Sequence, residues 1–169
     1  VSWQVALETR DRLVLLALSR QDVPTLDRTR YASADGLRRG AYVLRDAPDA
    51  KPRVILIATG SEVGLIVAAA DRLQAEGIAA RCVSMPSWEL FDAQPRDYRD
   101  EVLPANVPAR LAVELGVEQG WRRYIGEDGD MLGMDRFGAS APASVLLREF
   151  GFTVDNVVTR AKALLARAA

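Results

Sequence analysis

Histidine is absent from all 169 residues. Its absence removes the commonest general base, the commonest metal ligand and every Ser-His or Cys-His nucleophile pair. Chemistry done by this chain must use other groups, or those groups must come from elsewhere. Cys82 is the single cysteine, so no intramolecular disulfide can form and cysteine metal sites are excluded. It sits in Ala80-Arg81-Cys82-Val83-Ser84, where a small buried thiol in a core strand is expected rather than a nucleophile. An excess of either charge is lacking too: 22 Lys and Arg stand against 23 Asp and Glu, for a net charge of −1. Such a balance leaves no electrostatic footprint for nucleic acid or an anionic membrane. The pairs Arg38–Arg39 and Arg122–Arg123 read as solvated surface rather than phosphate readers. No apolar run reaches membrane-spanning length and no secretory signal is visible, so a cytoplasmic location is expected.

What is present suits one folded core: 49% of the residues are hydrophobic and 27% charged. Val1 to Glu8 reads as the end of a helix, with Trp3 and Leu7 one turn apart. Leu13 to Leu18 is a continuous apolar run suited to a strand buried on both faces, yet few candidate neighbours precede it. That strand is expected to belong to another sheet, and Asp22 to Asp35 to be a polar linker. From there the pattern is regular. Gly40 to Leu44 is an edge strand and Arg53 to Ala58 a buried one. A helix follows from Ser61, as cap, to Glu76, with Gly77 ending it and Val63, Ile66, Val67, Ala70 and Leu73 at helical spacing. Ala80 to Met85 and Arg110 to Leu115 are further strands; Ala141 to Phe150 and Val154 to Ala168 are helices, Thr153 capping the second. Strands alternating with helices predict a three-layer α/β domain with a mostly parallel sheet flanked by helices.

Several segments bear on chemistry. Ala58-Thr59-Gly60-Ser61-Glu62-Val63 joins a strand to a helix N-terminus, where free amides can hold an anion. It lacks the glycines of a dinucleotide fingerprint and the lysine of a P-loop, so a structural turn is the competing reading. Arg20, in Ser19-Arg20-Gln21, ends the first apolar run. Ligands of open α/β sheets bind at strand carboxyl ends, and a guanidinium there can grip a phosphate or carboxylate with two hydrogen bonds. A surface salt bridge is the alternative. Glu127-Asp128-Gly129-Asp130 matches no calcium loop and reads as a solvated turn. Trp88, Phe91, Trp121 and Tyr124 read as packing residues, and Gly133 to Pro142 as an irregular segment.

The order of these segments is more specific than any one of them. Leu18-Ser19-Arg20-Gln21, Gly40-Ala41-Tyr42-Val43-Leu44 and Ile57-Ala58-Thr59-Gly60-Ser61-Glu62-Val63 resemble transketolases in succession. So do Val83-Ser84-Met85-Pro86-Ser87, Phe91-Asp92-Ala93-Gln94, Tyr98-Arg99, Val102-Leu103-Pro104, Gly133 to Pro142 and Phe150 to Val157. Gly40-Ala41, where Gly-Gly is frequent, and the variable Gly120 to Tyr124 are departures away from the chemistry.

The resemblance implies a homodimeric transferase of three α/β domains. It would move a two-carbon ketol unit from a ketose phosphate to an aldose phosphate, using thiamine diphosphate and Mg²⁺. Residues 1–24 would be the last helix and strand of the pyrimidine-binding domain, 25–39 a linker and 40–169 the C-terminal domain. Arg20 matches the family arginine that holds the substrate phosphate. The catalytic histidines, metal ligands and cofactor-activating glutamate would lie before Val1, so no catalytic, cofactor-binding or metal residue is expected here. On this reading the fragment is inactive alone and binds neither cofactor, while sugar phosphates, the remaining domains and a second copy are its partners. The alternatives are a self-standing module binding a small anion, and the C-terminal domain of another thiamine enzyme such as a 2-oxoacid dehydrogenase subunit or deoxyxylulose-phosphate synthase. The first residue, not Met, and the strand without neighbours argue against a self-standing product, and Gly133 to Pro142 fits transketolase better.

Overall fold

The run Val54-Ile55-Leu56-Ile57-Ala58 is aliphatic throughout, and all five residues are buried. In the computed structural model, which describes residues 1–167, it forms β2 at the centre of a five-stranded sheet. The other strands are β1 (Tyr42–Arg45), β3 (Ala80–Ser84), β4 (Arg110–Val113) and β5 (Asp130–Leu132). Their order is β1-β3-β2-β4-β5, with β1 antiparallel to β3 and every other pairing parallel. The expected α/β class and mostly parallel sheet are therefore present.

A parallel strand must be covered on both faces, and alternation along β2 shows how. Val54, Leu56 and Ala58 face helices α2 (Glu62–Ala75) and α7 (Val154–Arg167), meeting Ile66, Leu73, Val157 and Leu164. Ile55 and Ile57 face the opposite layer, with Phe91, Tyr98, Val102, Trp121 and Ile125. That second layer is built from short helices: α3 (Trp88–Asp92), α4 (Arg96–Val102) and α5 (Arg122–Ile125). Each fully buried Leu or Ile side chain contributes about 1.5–3 kcal/mol. Cys82 lies in the same core with no exposed surface, and burial pushes its thiol up to about 12. It is an inert core residue, as expected. The aromatic residues also pack as expected, Trp88 meeting Trp121 edge to face at 5.2 Å.

Two arginines close the amino ends of the strands. Arg81 grips Asp46 through two 2.8 Å hydrogen bonds and donates to the carbonyls of Glu101 and Val102. Arg110 donates to the carbonyls of Leu103, Pro104, Val107 and Tyr124. Among the described residues the carboxyl ends have no such clamp.

Four expectations are corrected. Leu13 to Leu18 is not a strand: it is irregular, and Leu13, Leu15 and Leu18 are exposed. No strand lies beside it among the described residues, so its backbone has no ladder to join. Ser61 does not cap α2, because its hydroxyl turns to the Glu62 carboxylate instead. The Glu127–Asp130 turn gives Asp130 to β5, where it binds Arg160 at 2.9 Å rather than standing in solvent. The basic pairs are partly engaged: Arg39 lies over the Tyr98 ring, and Arg123 pairs with Asp92. Gly77 (φ 76°) does end α2, and Thr153 caps α7 by accepting from the Asn156 amide. α1 (Ser2–Glu8) and α6 (Ala143–Glu149) are helices near the expected places. Ala168, the expected end of α7, lies outside the described residues. Among the described residues no helix is long and apolar enough to cross a membrane.

Candidate functional site

The chain leaves β2 through α2 to reach β3 on one side, then returns past β2 to β4 on the other. That reversal opens a crevice at the carboxyl ends of β2 and β4, where ligands bind in sheets of this kind. Thr59 follows β2, Ser87 and Trp88 follow β3, and Glu114 follows β4; together with Glu89 and Trp121 they line a cleft of about 330 Å³.

Glu89 and Glu114 bring carboxyl groups to the lining, and Glu62 acts on Glu114 through its charge. Glu62, in the first turn of α2, is only 5% exposed. Burial raises its pKa above the ordinary carboxyl value, partly offset by hydrogen bonds from Ser61 and the Leu115 amide. Glu114 is pushed further, to about 7, first by burial and then by the charge of Glu62. Its Oε2 is buried and has no hydrogen-bond partner among the described residues. Whatever charge these two groups carry opposes an anion at the Thr59–Glu62 helix terminus, against the pull of the helix dipole.

Arg20 lies in a bend and is exposed, making no ion pair or hydrogen bond to Glu62 or Glu114. Its segment is nevertheless held against the same end of the sheet. A β-carbon on Gly60 would sit 3.6 Å from Ser19 Oγ, and one on Gly64 would sit 3.4 Å from Pro24 Cγ. Residues 19–24 therefore run alongside the amino end of α2, at a distance that leaves room for a β-carbon at either glycine. Arg20 is thereby presented to solvent beside the strand carboxyl ends.

The residues present do not fit a divalent ion or a diphosphate. No three Asp, Glu, His or Cys side chains come together to hold a metal among the described residues, and the residues lining the crevice include carboxyl groups but no Lys or Arg. The Glu62–Glu114 pair was not foreseen from sequence. The available signal was an acid at the end of the apolar run Leu111-Ala112-Val113, where a strand residue was expected.

Comparison with known proteins fits this architecture. A family described as the transketolase-like TK C-terminal domain matches residues 40–153. Transketolase of Geobacillus stearothermophilus is 54% identical over 166 residues, covering 98% of this chain and 25% of that protein. The structure of a transketolase from Leishmania mexicana superposes with a TM-score of 0.89 at 44% identity, over 98% of this chain and 23% of its own. A Pichia stipitis transketolase solved with sedoheptulose-7-phosphate gives a TM-score of 0.77 at 37% identity, over 87% of this chain and 20% of that one. The chain thus spans about a quarter of the length of its curated relatives, and it belongs to the transketolase C-terminal domain family.

Proposed function

We propose that this chain is the C-terminal part of a cytoplasmic, homodimeric transketolase that moves a two-carbon ketol unit from a ketose phosphate to an aldose phosphate. The observation that carries this reading is the 54% identity to a transketolase over nearly the whole chain. Residues 1–24 close the pyrimidine-binding domain, 25–39 link, and 40–169 form the C-terminal domain. Thiamine diphosphate, with Mg²⁺, supplies the carbanion chemistry when bound to the rest of the enzyme. This chain's share is to support the assembly and to present Arg20 to the phosphate of the sugar. The exposed guanidinium suits that role, since it is uncommitted to any carboxylate among the described residues and can meet a phosphate with two parallel hydrogen bonds. The sugar phosphate bound to the Pichia stipitis relative supports the same substrate class.

Arg20→Ala in the full-length enzyme is expected to raise KM for phosphorylated donors about tenfold or more while leaving cofactor affinity unchanged. Steady-state kinetics with phosphorylated sugars and a cofactor titration test this, and an unchanged KM would remove Arg20 from the site. The isolated chain is expected to show no transfer activity and no stoichiometric uptake of thiamine diphosphate or Mg²⁺. An activity assay and calorimetry on this chain check both, and tight uptake of either would place cofactor-binding groups here.

A further inference from the structure

We propose that Gly64 and Pro24 form a positioning contact: the amino end of α2, packed on Pro24, sets where Arg20 stands and so tunes the affinity for the phosphate of the sugar. This rests on the reading of Arg20 as the phosphate ligand. The guanidinium pairs with no carboxylate among the described residues, so its place is set by the backbone that carries it.

That backbone is fastened to this domain. Downstream of Arg20, Leu26 packs against the core shared by α2 and α7, and Tyr31 is buried in it. The Ala32 amide donates to the Leu44 carbonyl at 2.9 Å. Nearer to Arg20, two points touch the start of α2. Gly64 stands against Pro24, where a β-carbon would lie 3.4 Å from Cγ and 3.5 Å from Cδ, and Gly60 stands against Ser19. The two contacts differ in length. Gly60 and Gly64 are separated by about 6 Å along a helix, whereas the chain from Ser19 to Pro24 would span about 17 Å if extended. The excess is taken up by the bend at Arg20 and Gln21, which leaves Gln21 half-buried and Arg20 exposed. Pinning Ser19 and Pro24 to α2 thus throws Arg20 outward, and a shift of Pro24 moves the bend.

Gly64 is where that contact can be altered without breaking the helix. It lies inside α2, and no positive φ requires glycine there. A methyl group fits against Pro24, but bulk beyond it overlaps the ring. Alanine and isoleucine both favour a helix over glycine, so they differ in what they do to Pro24 rather than to α2. Isoleucine branches at its β-carbon and is stiff in a helix, so its bulk cannot swing wholly aside.

The test is steady-state kinetics of the full-length enzyme with a ketose phosphate donor and with the same ketose lacking its phosphate, beside a cofactor titration. Gly64→Ile is expected to raise KM for the phosphorylated donor about fivefold or more, with KM for the other donor and cofactor affinity unchanged. Gly64→Ala should stay within about twofold of the parent for both donors. Pro24→Gly, which removes the exposed ring from the other side of the contact, should again raise KM for the phosphorylated donor alone, and it carries the test if Gly64→Ile does not fold. Arg20→Ala is measured in parallel. If it raises that KM while Gly64→Ile and Pro24→Gly behave like the parent, the positioning contact is overturned and Arg20 stands; if it changes nothing, both fall. An equal rise for the two donors, or a rise in Gly64→Ala as large as in Gly64→Ile, also overturns the proposal.

Discussion

Gly40→Ala is expected to lower the stability of this domain by about 3–5 kcal/mol, a large part of the 5–15 kcal/mol typical of folded domains. Two costs add. Gly40 has a φ of 83°, a backbone region costing an L-residue about 1–2 kcal/mol. An added β-carbon would also lie 2.1 Å from the Phe91 amide nitrogen and 2.4 Å from the Ser87 carbonyl oxygen. Both obstacles are backbone, so no side chain can swing aside. Gly40 further accepts a 3.0 Å hydrogen bond from the Ser87 amide, and the Tyr98 hydroxyl binds the Ala41 carbonyl at 2.8 Å. Moving Gly40 away from α3 therefore also breaks the seam between the edge strand and the second layer. Gly77 supplies the control: its φ is 76°, yet a β-carbon there meets nothing within 4 Å. Gly77→Ala should cost only the conformational share, about 1 kcal/mol. Urea unfolding of both variants separates strain from overlap, and equal midpoints would show that the close approach of Gly40 to α3 contributes nothing.

The contrast between these glycines illustrates what the sequence could reveal. Gly77 was readable because its role is local: it ends a helix whose apolar spacing announces it. β2 was readable for a similar reason, five consecutive aliphatic residues admitting little but a doubly covered strand. Gly40 gave no such signal, since its constraint is the backbone of α3, some fifty residues away. β5 was missed because Asp130–Leu132 is three residues long and follows a turn-like run. It is a strand only because Leu111 to Val113 lies alongside. Leu13 to Leu18 errs in the other direction, with a strand's composition but no neighbour among the described residues to pair with. Family membership was legible in the order of motifs, and the proposed role of Arg20 came with it. The acidic crevice was not legible. Glu62 and Glu114 are 52 positions apart, and only the parallel pairing of β2 with β4 sets their elements side by side.

That pair leads to the second large effect, on stability against pH. The carboxyl of Glu114 titrates near 7 in the folded chain against an ordinary value of 4.5, so in that window the folded state holds a proton the unfolded state has released. Stability is then highest below the unfolded value and falls as pH rises toward 7, by about 2 kcal/mol once partial exposure is discounted. Glu62, also raised by burial, acts in the same direction. Glu8, Asp11 and Asp27 have lowered values and act the opposite way, but at more acid pH, outside this window. Glu114→Gln keeps the shape and removes the charge, and its amide can donate toward the remaining carboxylate. The variant should therefore match the parent near pH 5, exceed it above pH 7 by about 2 kcal/mol, and lose most of the slope between. Urea midpoints across that range decide it; identical slopes in the two chains would mean that Glu114 is solvated like any surface carboxylate.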